Sequence, residues 1–322
     1  INEMQEQHTV TTSLPGRRML VALCLLGLLA LTGSLYAQEA PPQAVTLNGL
    51  SLVWQQYNRC ATAALAIQLS YFESWTGRYD QVIAALNPHE EDVSVRMEEM
   101  AAYAEAQGLG ALVRTGGTLD MVRALVAAGF PLLVENVHTE NGPDDWMSHN
   151  WVVMGYDDAA GVVLAFDPRL GAGDGTGRPV PYAEFDTAWK PFNRNYLVLY
   201  EPEQEDALRA ALGDQWDAAA NAEWTLEQAG LEAEADPDDA FALFNLASAL
   251  VAYERYDEAS ALYDRADEIG LPWRMLWYQY GPFEAYLGTG RYEDALALGQ
   301  RVLQTTKGVE EIYYYMGRAY DA

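Results

Sequence analysis

The segment Arg255-Tyr256-Asp257-Glu258-Ala259 returns 36 residues later as Arg291-Tyr292-Glu293-Asp294-Ala295. An aromatic-rich helical pattern precedes each copy, Phe241–Tyr253 and Trp277–Leu287, and a third begins at Ile312-Tyr313-Tyr314-Tyr315-Met316-Gly317. A sequence that restarts at this interval builds one helix–turn–helix unit per repeat. A single unit cannot bury its apolar face alone and must stack on the next. From Gln204 onward the chain is alanine-rich, acidic and helical in period, with no strand signal. Residues 203–322 are therefore predicted as an all-α repeat region, with Asp236-Pro237 ahead of one unit and Gly270-Leu271-Pro272 inserted in another. The third unit stops after one helix, the expectation for a shortened chain.

The preceding part obeys a different rule. Cys60–Trp75 reads as a helix with Ala64, Ile67, Leu69 and Phe72 turned inward and Gln68 and Glu73 outward. Helical patterns follow at Gln81–Leu86, Val95–Gln107 and Leu119–Ala128. The period then changes to β-branched and aromatic runs bounded by turn residues, at Pro131–Val137, Trp151–Tyr156, Val162–Phe166 and Tyr196–Tyr200. Helices first and an antiparallel sheet afterwards predict an α+β domain over residues 45–200, behind a linker at 38–44.

The sequence starts at Ile1 rather than methionine, so a longer parent chain is expected. Arg17 and Arg18 precede an apolar run, Met19–Leu31, and the small and polar residues Ser34-Leu35-Tyr36-Ala37-Gln38-Glu39. Residues 1–37 read as a secretory signal or, if uncleaved, as a membrane anchor over Met19–Ala37. Either reading places the remainder outside the cytoplasm, secreted or held at the cell surface. Among 322 residues, 19 basic against 47 acidic side chains give a formal charge of −28. Such a surface repels phosphate backbones, so nucleic acid is excluded as a partner. Cys24 and Cys60 alone supply neither a disulfide framework nor a thiolate-rich metal site, and no cofactor is expected.

With the leader removed, Cys60 is the remaining thiol. It stands at the mouth of a helix, where unpaired amides and the helix dipole favour a thiolate; a buried, inert cysteine is the alternative. A nucleophile needs a base, and the chain offers four histidines. His8 precedes the leader, His89 lies in the Pro88–Asp92 loop and His138 ends a strand. His149 opens a strand that enters a hairpin through Asp157–Gly161 and returns as Val162–Asp167. Centring that hairpin on Asp158 pairs Val153 with Val163 and His149 with Asp167. Residues so opposed lie about 4.5–5.5 Å apart at Cβ, where a carboxylate fixes the imidazole's tautomer. Trp146 and Trp151 flank His149 and suit either a substrate cleft or a core. The Gly171–Gly177 run lacks the strand–loop–helix setting and lysine of a phosphate loop and reads as a surface loop. Asp167 and Asp174 lack the alternating carboxylates of a calcium loop.

Gln55-Gln56-Tyr57-Asn58-Arg59-Cys60, the run Ala63-Ala64-Leu65, Ser148-His149-Asn150-Trp151 through Asp157, and Phe166-Asp167-Pro168 together resemble the papain-like peptidases that process double-glycine leaders of bacteriocins. The match is closest to their stand-alone, exported relatives and covers roughly residues 45–200. The resemblance implies Cys60 as nucleophile, His149 as base and Asp167 as orienter. Gln55 would donate to the oxyanion, with Gln56 the other choice. Ala61-Thr62 stands where the family usually has Gly-Pro, and no Walker A sequence exists, so transporter coupling does not carry over. Residues 214–322 likewise resemble tetratricopeptide repeats, which implies a concave surface for a protein partner. The expectation is an exported cysteine peptidase acting on a peptide or protein. Its competitors are a catalytically silent peptidase fold used as a peptide clamp, and a transglutaminase-like enzyme that passes the acyl group to an amine.

Overall fold

The computed structural model describes residues 41–139, 142 and 145–322. The expected leader, with His8 and Cys24, lies outside the described residues, as do its signal and anchor readings.

Among the described residues, seven antiparallel strands form one sheet. They are β1 (Ala44–Thr46), β2 (Gly110–Arg114), β3 (Leu132–His138), β4 (Met147–Asp157), β5 (Val162–Phe166), β6 (Arg178–Pro181) and β7 (Tyr196–Tyr200). Their spatial order is β2-β7-β3-β4-β5-β6, with β1 pairing the far end of β4. The middle strands are buried on both faces: every residue of β7 is buried, and so is β4 from His149 to Tyr156. That burial explains their unbroken apolar runs, since a strand covered on both sides has no reason to alternate.

Helices α1 (Cys60–Leu69), α2 (Tyr79–Leu86) and α3 (Met97–Ala106) cover one face. Helices α4 (Leu119–Ala127), α5 (Tyr182–Trp189) and α6 (Glu205–Leu212) cover the other. The α+β class is as expected, but the simple order is not. Strand β2 falls among the helices and lands at the sheet edge beside β7, and α5 falls among the strands. Gln43 and Ala44, expected in the linker, already belong to the sheet through β1 and the Asp158 N–H to Gln43 carbonyl bond.

The first helix is shorter than predicted and buried on all sides. It ends at Leu69, where the Ser70 hydroxyl donates back to the Ile67 carbonyl. Nine of its ten residues are buried. Gln68, expected to face water, has no exposed surface and donates to the carbonyls of Pro131 and Leu197 at 3.0 and 2.9 Å. A helix apolar all round belongs in a core, and each fully buried Leu or Ile there contributes about 1.5–3 kcal/mol.

The β4–β5 hairpin differs from the predicted register. Asp157 pairs with Val162, because the Asp157 carboxylate accepts the N–H groups of Ala159 and Ala160 and Gly161 takes φ +68°. A bulge between Val153 and Gly155 then shifts the ladder, and Val153 faces Ala165 rather than Val163. Gly155 sits where β1 crosses: a Cβ there would lie 2.7 Å from the Val45 carbonyl oxygen.

After β7 only helices occur among the described residues: α6 above, then α7 (Ala218–Ala235), α8 (Ala240–Val251), α9 (Tyr256–Ile269), α10 (Gly281–Gly288), α11 (Tyr292–Leu303) and α12 (Glu310–Asp321), with short 3₁₀ turns. The two copies of the repeated segment fold alike. Arg255 and Arg291 precede α9 and α11 with φ,ψ of −83°, 58° and −82°, 57°, and each grips the acid three residues on, Glu258 at 2.7 Å and Asp294 at 2.6 Å. The predicted helix Trp277–Leu287 starts later, at Gly281 with Pro282 in its first turn. Proline suits that position because its missing N–H would be unpaired there anyway.

The helical part packs directly on the sheet part. Trp146 and Phe192 stack at 5.7 Å, and Trp146 also meets Phe241 and Tyr278 at 6.5 and 6.2 Å. Asn245 donates to the Lys190 carbonyl and Gln279 to the Pro191 carbonyl.

Candidate active site

Cys60 is the first residue of α1, delivered by a tightly held loop. Asn58 takes a left-handed φ of 54°, a conformation asparagine tolerates better than most residues. Its amide donates to the Glu90 carbonyl, and its own carbonyl accepts from Asn87. Arg59 ties back to Gln56 at 2.6 Å. Ala61 and Thr62, where the resembling family carries Gly-Pro, fit without disturbance. Ala61 packs in the core and the Thr62 hydroxyl donates to the Arg59 carbonyl. Cys60 is half-buried, and its sulfur lies 3.7 Å from Asn150 Oδ1.

His149 is 3% exposed on β4, and its pairing partner across the ladder is Asn136 of β3. Asp167 is not opposite it; β5 ends at Phe166, which faces Val152. Asp167 is the diagonal neighbour beyond the strand end, and His149 Nε2 reaches its Oδ1 at 2.8 Å. Diagonal neighbours on one face are within reach of long side chains. The carboxylate is aimed by its own turn: Oδ1 accepts the N–H groups of Arg169 at 2.8 Å and Leu170 at 3.0 Å, the local bonding that aspartate favours in turns. Arg178 approaches Oδ2 at 3.5 Å. With Nε2 engaged, Nδ1 is the ring nitrogen left for the thiol.

Burial works against a charged His149. The hydrogen bond and charge of Asp167, together with Cys60, outweigh it and hold the imidazole's pKa up to about 9. Burial likewise pushes Asp167 up, but His149 and the two backbone donors keep it below the usual carboxylate range. Opposed shifts on two touching buried groups are the electrostatic mark of a preorganised ion pair.

Gln55 shares the cavity of Cys60 and His149, and its backbone N–H donates to the Pro168 carbonyl at 2.9 Å. Its Oε1 is buried without a hydrogen-bond partner. Gln56 is exposed with its oxygen on Arg59, away from that cavity. Trp146 and Trp151 do not line it either. Trp146 is the packing block between sheet and helical part, and Trp151 is buried against Phe185 beneath Arg178. Large apolar rings beside a site are drawn first to whatever core is nearest, and both found one. His89 is exposed in its loop, as expected. His138, expected to end a strand, does so, and its ring lies 5.6 Å from that of His149.

The cavity holds about 580 Å³, and its far wall comes from the helical part: Arg274, Trp277, Tyr278 and the segment 306–308. Sequence reasoning missed this wall, because Trp277 and Tyr278 read as helix and nothing in the repeat points toward Cys60. It also missed Glu135, half-buried beside a small space that Cys60 and Asn150 also border. Burial lifts the Glu135 carboxyl to about 7 against donation from Ser148 and Asn195. An acid inside the apolar run Leu132-Leu133-Val134-Glu135 was the available signal. Among the described residues no group of three His, Cys, Asp or Glu side chains could hold a metal ion.

Geometrically, then, a thiol, an ion-paired imidazole and a side-chain amide meet at one cavity, an arrangement suited to nucleophilic acyl chemistry. A family model described as Peptidase_C39 like family matches residues 34–197, about half of the chain. No curated protein matches. Two solved structures are similar over about half of this chain. One is a double glycine motif protease from an AMS/PCAT transporter in complex with the leader peptide, 19% identical, covering 49% of this chain and 94% of its own, with a TM-score of 0.36. The other is a C39-like peptidase from Bacillus anthracis, 16% identical, covering 50% of this chain and 98% of its own, with a TM-score of 0.40.

Proposed function

The chain belongs to the Peptidase_C39 like family, and we propose on that footing that it is a cysteine peptidase cutting a peptide bond with Cys60, His149 and Asp167. His149 takes the proton of Cys60, and the thiolate attacks the scissile carbonyl carbon. The backbone N–H of Cys60 and the side-chain amide of Gln55 receive the developing oxyanion. The C–N bond breaks as the imidazolium gives its proton to the leaving amine, leaving a thioester on Cys60. Water, deprotonated by His149, then attacks the thioester and releases the acid and the thiol. Asp167 holds the ring with Nδ1 toward the sulfur and supports its positive charge.

The observation that carries this reading is the buried 2.8 Å contact between His149 and Asp167 at the cavity of Cys60. The test is incubation of the protein with a peptide library, read by mass spectrometry, beside Cys60→Ala. New peptide ends from the parent and none from the variant are expected, and a Cys60→Ala protein that still cuts removes the assignment. Product of an amine added to the library in place of free acid would identify acyl transfer instead.

Two further parts of the reading concern the rest of the chain. Residues 1–37 export the protein, by the sequence pattern alone; N-terminal sequencing of the mature protein tests it. Helices α7–α12 act as tetratricopeptide-like repeats that hold a protein partner, which the matching caps at Arg255 and Arg291 support.

A further inference from the structure

We propose that Tyr278, a residue of the helical part, is a specificity-determining residue for the reaction at Cys60, walling off the Asn150 side of the thiol so that bulky substrate extends in one direction only. The inference rests on the peptidase reading above and adds to it a substrate restriction set by chain outside the family-matched region.

Two spaces meet at Cys60. Toward Gln55, His149 and Arg169 the cavity offers about 580 Å³. Toward Ala61, Val95, Glu135 and Asn150 it offers about 10 Å³, room for about one water molecule. Tyr278 borders both spaces, as do Asn58, Val93 and Ser148, and of these it alone belongs to the helical part. A peptide lying across the thiol would need to place a residue on each side. On the narrow side a glycine, an alanine or a chain end is the most that fits without moving that ring.

The ring is not free to move aside. It packs 6.2 Å from Trp146 and 6.5 Å from Phe192, both belonging to the sheet part. Its neighbour Gln279 donates to the Pro191 carbonyl at 3.0 Å, and the Tyr278 N–H closes the turn onto the Met275 carbonyl. Farther along the same wall, Gly308 abuts the Glu91 backbone so closely that a Cβ would lie 1.9 Å from its carbonyl oxygen. The wall is thus pinned at both ends.

The test compares the full chain carrying Cys24→Ser, so that Cys60 is the thiol read, with the same chain carrying Tyr278→Ala, Tyr278→Leu or Tyr278→Phe, each first checked for folding by thermal melting. Cys60 is alkylated with iodoacetamide and, separately, with a pyrene-bearing maleimide. Tyr278→Ala should speed the bulky reagent by about tenfold or more, the scale on which a filled pocket discriminates size, while iodoacetamide changes little. Tyr278→Phe should behave as the parent, and Tyr278→Leu stands in should the alanine variant not fold. In a peptide library the parent should cut only beside small residues on one side of the bond, and Tyr278→Ala should also accept Leu and Phe there. Unchanged alkylation by the bulky reagent and an unchanged cleavage pattern overturn the proposal. A changed alkylation ratio with no cleavage by any form overturns the peptidase reading and leaves the wall standing.

Discussion

His149 and Asp167 form a pair whose charge state sets two pH limits. His149 is held at about 9, above the ordinary histidine value of 6.5, so its pairing contributes stability that is complete below 6.5 and is lost as pH rises through about 9. Asp167 is lowered, so its contribution is present above the ordinary 3.8 and is lost as pH falls below that value. The rate constant kcat/KM should fall on the alkaline side near pH 9, and a profile flat from neutrality to well past that point contradicts the assignment. At the same scale the two glutamines separate cleanly. Gln55→Ala should cost about 10²–10³ in kcat, the loss typical of one oxyanion donor, and Gln56→Ala should leave kcat near the parent's. These residues were legible in the sequence as types in order, Gln, Cys, His, Asp. Their contact was legible only by parity. The Asp157-capped turn displaced the predicted hairpin by an odd step and the bulge at Gly155 returned it by another. The net shift was even, which kept His149 and Asp167 on one face while making them diagonal rather than opposed.

At the scale of elements, α1 shows where periodicity misleads. Its polar residue Gln68 looked like an outer face because the pattern assumes that a helix has one. Here the helix lies between the sheet and its own neighbours, and the amide replaces water for two backbone carbonyls. Gln68→Leu should therefore destabilise by about 1–3 kcal/mol, because two buried acceptors lose their donor in a space that no longer admits one. Urea unfolding with an unchanged slope would measure it, and an unchanged midpoint would refute it. Strands β2 and β6 were missed for a related reason: β2 opens on a glycine and β6 holds two prolines in four residues, and their pairing partners β7 and β5, not their own sequence, make them strands. The repeated segment behaved oppositely. Its copies are legible because each carries its own helix start, an arginine and the acid three residues on, and local chemistry is what sequence shows best.

For the whole molecule, the junction between sheet and helical part is an aromatic stack rather than a linker. Trp146 is its centre, in contact with Phe192, Phe241 and Tyr278. Trp146→Ala should cost about 3–5 kcal/mol, the usual penalty for deleting a buried large aromatic ring. It should also raise protease susceptibility near residues 273–280 before that of the sheet; equal protection in parent and variant would show that the stack does not hold the junction. The sequence offered Trp146 as a cleft or core residue with equal force, because an indole three residues from a histidine looks the same in either role.

The cavity draws its near wall from residues around 55–60 and its far wall from residues 274–308. A polypeptide emerging amino end first, from a ribosome or through a translocation pore, therefore exposes its thiol and imidazole while the opposite bank of the channel is still unmade. In that interval the space beside the thiol is bounded on one bank alone, and it reaches its final width only when residues 274–308 close against it.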